Sequence, residues 1–172
     1  QISDALQKVY GPSLKAVYDK SSGTAPYKAG LELIDGYMYR REDFSDDEQT
    51  VLENGHKFIV NWTEGQKTGF FLDQRDNRAL VGHHAQGRNV LNLFCYTGGF
   101  SFYAMRGHAK IVHSVDISAR AIELTKQNVE LNFPGDPRHE AFAEEAFEFM
   151  AKNQNKYDLI ILDPPAFAKH RD

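Results

Sequence analysis

The rhythm of apolar and polar positions along this chain changes near residue 85. Downstream of that point, short apolar runs alternate with stretches spaced like helices. "NVLNLFCY" (89–96) is an apolar run ended by "TGGF". "SFYAMRG" then reads as a helix stopped by Gly107, and "KIVHSVDIS" (110–118) as a strand running into a turn. "ARAIELTKQNVELN" sets Ile122, Leu124, Val129 and Leu131 near helical spacing, with Ser118 as its N-cap. Pro134 and Pro137 interrupt the chain. "HEAF" follows as a short strand, "EEAFEFMAKN" as a helix and "YDLIILD" as a buried strand. Strand and helix in strict alternation predict a parallel sheet covered by helices.

Upstream the pattern is β-rich and irregular. "ISDALQKVYG" predicts a short helix capped by Ser3 or Asp4 and stopped by Gly11, and "LKAVYDK" predicts a strand. Ser21 to Gly30 reads as loop. "TVLENGHKFIVNW" is the clearest local signal, because Asn54-Gly55 supplies the positive φ angles of a tight hairpin turn between strand-like flanks. Gly65 and Gly69 mark bends, and the polar "DQRDNR" opens a helix through "ALVGHHA". The expected organisation is an α/β protein: a smaller β-rich segment over residues 1–85, and a parallel-sheet core over residues 86–172.

Composition narrows the class. The 172 residues, 41% hydrophobic and 26% charged, suit one soluble domain with a smaller appendage. No apolar run approaches the roughly 18–20 residues that span a bilayer. "QISDALQKVY" is no signal peptide and lacks an initiator Met, so the chain is expected to be a piece of a longer protein. Cys95 is the single cysteine, which excludes an internal disulfide and points to a reducing cytoplasm. A net charge of −4 and a pI of about 6.0 argue against strong binding of nucleic acid by charge alone. The seven His residues show no metal-ligand spacing, so no metal is expected.

Ligands of an open parallel sheet bind beyond the carboxyl ends of its strands. The first core strand ends in Gly98-Gly99, which permits a sharp turn and a close backbone approach, and the next helix aims its free N–H groups there. The second ends at Asp116, about 20 residues past the glycines, where a carboxylate can accept from both ribose hydroxyls. The third leads to Glu144 and Glu145, either of which could meet the amine of an adenine ring. Each also has a structural reading: a plain turn, a capping Asp, or acids favoured by a helix macrodipole. Together they favour an adenosine ligand. No G-x-G-x-x-G and no G-x-x-x-x-G-K-[ST] occurs, so S-adenosylmethionine (SAM), which carries no phosphate, fits best. The fourth strand ends in Asp163-Pro164-Pro165. The prolines fix the backbone and remove N–H donors, leaving rigid carbonyls and one carboxylate to hold the polar edge of a base, with Phe167 as a stacking face.

"VNWTEGQKTGFFLDQRDNR", "LNLFCYTGGFSFYAM", "VDISARAIELTKQNVELN" and "DLIILDPPAFAK" together resemble the class I SAM-dependent RNA methyltransferases. The nearest group is the bacterial 23S ribosomal RNA cytosine-5 methyltransferases and their guanine-N2 relatives. The resemblance covers roughly residues 50 to 172. Residues 1 to 50 are similar, more loosely, to the β-rich region that in this family follows an RNA-binding PUA domain. It implies a Rossmann-like class I methyltransferase core, C-terminally truncated, whose cofactor is SAM and whose partner is ribosomal RNA. It also implies that Phe94, Tyr96, Thr97 and Gly98 line the methionine moiety, with Gly99 completing the turn, and that Asp116, beside Ile117, binds the ribose. Glu145 stands where the family has Asp beside the adenine. Asp163, Pro164 and Pro165 match the target-side motif, and "KTGFFLDQR" folds over the cofactor with Lys67, Phe70, Asp73 and Arg75 as candidates.

Cytosine C5 is a poor nucleophile, and its methylation uses a cysteine thiolate added at C6. Cys95 lies in the strand-to-cofactor turn and reads as a small buried residue. In the similar enzymes the nucleophile follows on a later strand, beyond residue 172. Guanine-N2 methylation needs no cysteine, so the base stays open between the two. A non-catalytic RNA- or nucleotide-binding module is the alternative from another class. With fewer strands than a complete sheet of this kind, the chain is expected to retain much of the SAM site yet to be inactive by itself. Its unpaired sheet edge favours a homodimer.

Overall fold

The structure, a computed structural model, describes residues 1–23, 30, 32–45, 49–65 and 68–165. The chain packs as two compact units, residues 1–49 with 60–71 and residues 50–59 with 72–172.

In the first unit, α1 (Ile2–Tyr10) starts after Gln1 and not at the expected Ser3 or Asp4. Ser3 lies inside the helix, buried, where its hydroxyl accepts from Gln7 Nε2 at 3.3 Å. Gly11 ends the helix at a φ of +51°. β1 (Ala16–Asp19) pairs antiparallel with β2 (Gly36–Arg40). Tyr37 stands at the centre of a cluster with Tyr18, Phe44 and Trp62. Tyr18 meets it edge-on at 4.9 Å between ring centroids, and Trp62 Nε1 donates to its hydroxyl at 3.0 Å. Phe44 stacks on Trp62. Lys20 Nζ donates to the carbonyls of Trp62, Thr63 and Gly65 at 2.5, 3.2 and 2.6 Å, satisfying a bend that has no ladder of its own.

The second unit opens with the expected hairpin. β3 (Gln49–Glu53) and β4 (His56–Val60) are joined by Asn54 and Gly55, both at positive φ (50° and 79°). α2 (Arg75–His84) follows a single 3-10 turn at Leu72–Gln74. The hairpin and α2, which the sequence pattern groups with residues 1–85, pack here against the sheet unit. Glu53 makes a buried, two-pronged ion pair with Arg78 of α2, both hydrogen bonds 2.8 Å. α2 meets α3 at two glycines: a Cβ on Gly107 would strike the Gly82 carbonyl.

The sheet is built from β5 (Asn89–Leu93), β6 (Ile111–Asp116), β7 (His139–Ala143) and β8 (Leu159–Leu162), all parallel, in the order β7-β6-β5-β8. Between them run α3 (Gly99–Arg106), α4 (Ala119–Asn132) and α5 (Ala146–Lys152). Ser118 caps α4 as expected, accepting from the Ala121 N–H at 3.3 Å. The chain leaves β5 towards β6 and β7, then crosses back to place β8 on the other side of β5. Right-handed crossovers therefore put α3 and α4 on one face and α5 on the other. Leu91, Leu93 and Val115 pack with Ala146 and Phe149 of α5. The opposite face buries Val90, Val112, Phe102 and Met105. Each such fully buried side chain stabilises the fold by about 1.5–3 kcal/mol. That face also holds a buried polar chain: Asn92 Nδ2 donates to Ser101 Oγ (2.9 Å), which contacts Ser114 Oγ (2.6 Å), which contacts His139 Nε2 (2.8 Å).

Two predictions follow from these buried polar groups. Arg78→Leu leaves the Glu53 carboxylate buried without its cation and is expected to cost about 3–5 kcal/mol in urea unfolding; Glu53→Leu combined with Arg78→Leu costs less than the sum of the singles. Burial holds His56 and His139 at about 4, helped at His56 by Arg106 and opposed by Glu53, and helped at His139 by His113 and Lys126. Both are neutral in the folded protein, while the unfolded chain takes up their protons near pH 6.5. Stability is therefore fully present above that pH and falls as acid is added towards pH 4. The urea midpoint should decline across this window, and less steeply in His56→Phe, whose ring replaces an imidazole with an unpartnered Nδ1.

Candidate functional site

The strand register aligns the carboxyl ends of the sheet. Leu93 pairs with Val115 and with Leu162, and Val115 pairs with Phe142. Phe94, Asp116, Glu144 and Asp163 therefore leave their strands at one edge. The order of the sheet reverses beside β5, so the crevice at its carboxyl end is the switch point where ligands of such sheets bind.

The turn from β5 to α3 alternates left-handed residues: Phe94, Tyr96 and Gly98 have φ of 55°, 49° and 77°. At Gly98 the positive φ coincides with crowding, since a Cβ there would lie 2.6 Å from Thr125 Cγ2. Tyr96 is fixed at both ends of its peptide. Its N–H donates to Asp116 Oδ2 at 3.0 Å, and its carbonyl accepts from Thr125 Oγ1 at 2.9 Å. The Thr97 carbonyl accepts from Asn128 Nδ2 at 3.0 Å. No side chain caps the first turn of α3; the Ser101 and Phe102 N–H groups turn back to the Gly98 carbonyl (2.9 and 3.3 Å), which leaves those of Gly99 and Phe100 as the candidates to meet a carboxylate.

Asp116 accepts one backbone N–H on each oxygen, from Tyr96 and from Ser118 (2.9 Å). Each oxygen keeps a further lone pair, so the carboxylate can still accept from a diol. Ile117 beside it is 76% exposed. Phe94 packs, half-buried, on the Leu91–Leu93–Phe149 cluster. Thr97 and Gly98 are buried and Gly99 half-buried. Glu145 is the N-cap of α5, its carboxylate accepting from the Glu148 N–H at 2.8 Å, and Glu144 pairs with Lys152 at 3.1 Å. Glu145 thus caps the helix, and Glu144 is held in an ion pair with the last turn of α5. Asp163, Pro164 and Pro165 are exposed at the end of β8. Phe70 is half-buried in the first unit, where its carbonyl accepts from Thr68 Oγ1. Asp73 and Arg75 are exposed, Arg75 being paired with Asp76. Lys67 and Phe167 lie outside the described residues. Cys95 is buried, and burial pushes its thiol up to about 12, against the hydrogen-bond contact with Thr125 Oγ1, which lowers it. It is a packing residue and no nucleophile.

Thr125 and Asn128 are the residues that sequence pattern alone passed over. They share the buried stripe of α4 with Ala121, Ile122 and Val129. A polar pair inside an otherwise apolar stripe was the available signal.

Residues 42–171 match the S-adenosylmethionine-dependent methyltransferase family, and the chain belongs to it. The chain is 41% identical, over 99% of its length and 43% of the relative's, to the ribosomal RNA large subunit methyltransferase I of Tolumonas auensis. It is 39% identical to the protein of that name from Erwinia tasmaniensis, over 98% of the chain and 42% of the relative. A methyltransferase candidate solved in complex with S-adenosylhomocysteine (SAH) superposes with a TM-score of 0.78 at 31% identity, over 99% of this chain and 43% of that one. The chain thus spans less than half the length of the relatives it matches. The cofactor of the family is SAM, and the site fits it in two respects: the Asp116 oxygens keep spare lone pairs, and no side-chain cap takes the Gly99 and Phe100 N–H groups of α3. Among the described residues no group of three or more His, Cys, Asp or Glu could hold a metal ion, and no helix is long and apolar enough to cross a membrane.

Gly98→Ala is expected to destabilise the protein by about 1–2 kcal/mol from the left-handed backbone alone, and more from the contact with Thr125 Cγ2. Thr125→Ser, which removes that methyl and keeps the hydroxyl, should recover the steric part. Thermal unfolding of the single and double variants separates the two contributions.

Proposed function

We propose that the protein is a cytoplasmic methyltransferase acting on a base of large-subunit ribosomal RNA, with cytosine C5 as the target atom. The observation that carries this reading is the convergence at one sheet edge of the 94–99 turn, Asp116 and Asp163-Pro164-Pro165. The names of the relatives at 41% and 39% identity support the RNA substrate.

The bound cofactor supplies an electrophilic methyl group on a sulfonium centre. The work of this chain is to bind, orient and exclude water. The first N–H groups of α3 receive the methionine carboxylate. The spare lone pairs of Asp116 accept the ribose hydroxyls, and because the same carboxylate holds the Tyr96 N–H, ribose contact and turn geometry are set by one group. Phe94 walls the crevice from the α5 side. Asp163 is exposed at the next strand end, and the two prolines behind it add no competing N–H donor. Its carboxylate and the neighbouring carbonyls accept from the exocyclic amine of the target base and hold it in line with the methyl group. Much of the rate gain then comes from orientation.

Cytosine C5 chemistry needs a thiolate, and Cys95, buried and protonated, does not supply one. In this reading the nucleophile belongs to the part of the protein outside these residues. The same observation favours guanine N2 as the second target, since that amine attacks the methyl without covalent help.

Calorimetric titration with SAM tests the site. The wild-type chain is expected to bind, and Asp116→Ala to bind at least tenfold more weakly, about 1.4 kcal/mol. Unchanged binding in Asp116→Ala would remove the ribose assignment. Labelling of large-subunit ribosomal RNA by the whole protein, followed by nucleoside analysis, tells 5-methylcytidine from N2-methylguanosine.

A further inference from the structure

Asn128 is completely buried on α4, and its carboxamide joins two separate pieces of backbone. Nδ2 donates to the Thr97 carbonyl in the 94–99 turn at 3.0 Å, and Oδ1 accepts from the Ile59 N–H of β4 at 2.7 Å. The partners dictate which way round the amide sits. A backbone N–H can only donate and a carbonyl can only accept, so a flipped amide, an Asp or a Leu fails at one end or at both. The hairpin reaches the same turn a second time. A Cβ on Gly99 would lie 3.3 Å from Phe58 Cε1, beside Ile59, and 3.0 Å from Arg78 Cδ, whose guanidinium is clamped by Glu53 of β3. The turn is thus held from one side by Asn128 and from another by Phe58 and Arg78.

We propose that Asn128 is a positioning residue for the cofactor, through which SAM affinity depends on the docked hairpin and SAM binding in turn holds the hairpin down. This rests on the reading of the 94–99 turn as the SAM site. A coupling between two sites is reciprocal, so the two effects are one free energy seen from either end. The Thr97 carbonyl is the point of transmission. When Nδ2 loses it, a buried carbonyl is left unpaired in a backbone that already carries left-handed residues on both sides, Tyr96 and Gly98. A change in the hairpin is thereby felt at the cofactor turn through Asn128, with Phe58 and Arg78 as a second contact.

Asn132, one helical turn further along α4, provides the comparison. Its side chain accepts from the Lys57 N–H (2.9 Å) and donates to the Lys57 carbonyl (2.7 Å), so it grips the hairpin; among the described residues its remaining bond goes to the Asn128 carbonyl (2.7 Å) and not to the turn. SAM dissociation constants and melting temperatures would be measured for the wild type, Asn128→Asp and Asn132→Ala. Exchange of the Ile59 amide would be followed with and without SAM. Asn128→Asp keeps the bond from Ile59 and loses the one to Thr97. It is expected to weaken SAM binding at least about fivefold, while Asn132→Ala, which loosens the hairpin but leaves the bond to Thr97 in place, weakens it distinctly less at a comparable fall in melting temperature. In the wild type, SAM should slow exchange at Ile59. Wild-type SAM affinity in folded Asn128→Asp overturns the proposal and leaves Asn128 a purely structural residue. Where that variant does not fold, the exchange decides: slower at Ile59 supports the coupling, unchanged overturns it. No SAM binding by the wild type would instead overturn the reading of the site, and the coupling with it.

Discussion

Between the first strand of the sheet and its helix, the backbone takes left-handed conformations at Phe94, Tyr96 and Gly98. Such a path costs about 1–2 kcal/mol at each residue that carries a Cβ, and it forms no regular ladder. It persists because the surroundings supply its partners one by one: Val115 and Asp116 from β6, Thr125 and Asn128 from α4. Only short polar side chains reach a carbonyl at this depth. That explains why Thr125 and Asn128 occupy helix positions whose neighbours on the same stripe are Ala121, Ile122 and Val129. The free helix end, the spare lone pairs of Asp116 and the grip of the hairpin all depend on this path being held.

What the sequence disclosed was local. Asn54-Gly55 defined the hairpin because a two-residue turn of that kind has few alternatives. Ser118 marked the start of α4, and Gly107 the end of α3, for similar reasons. The alternation after residue 85 gave the parallel sheet. Interactions across long separations were not legible. Nothing in "TVLENGH" announces that Glu53 meets Arg78, since a single acid in a strand is usually solvated, and the pairing follows only once α2 lies on α3. The same limit hid the attachment of the hairpin to the sheet unit. Glu145 was open to two readings, and the geometry uses it to cap α5.

The chain carries a net charge of −4 and presents Asp163 openly at the edge of its sheet. A surface of that sign does not collect phosphates indiscriminately. An RNA substrate would have to be recognised through a few shaped contacts near the crevice, with electrostatic attraction left to other surfaces. Asp163 and its prolines suit the first task, since they offer acceptors in a fixed frame and no charge that attracts a backbone.

Trp62 is the single tryptophan of the chain, and it sits in the first unit, stacked on Phe44 and bonded to Tyr37. Among the described residues, four of the five α-helices belong to the second unit. Tryptophan fluorescence therefore watches one unit, and far-ultraviolet circular dichroism mainly the other. The molecule carries its own pair of independent optical gauges. Whether their unfolding curves coincide reports directly on whether the two units melt as a single cooperative body.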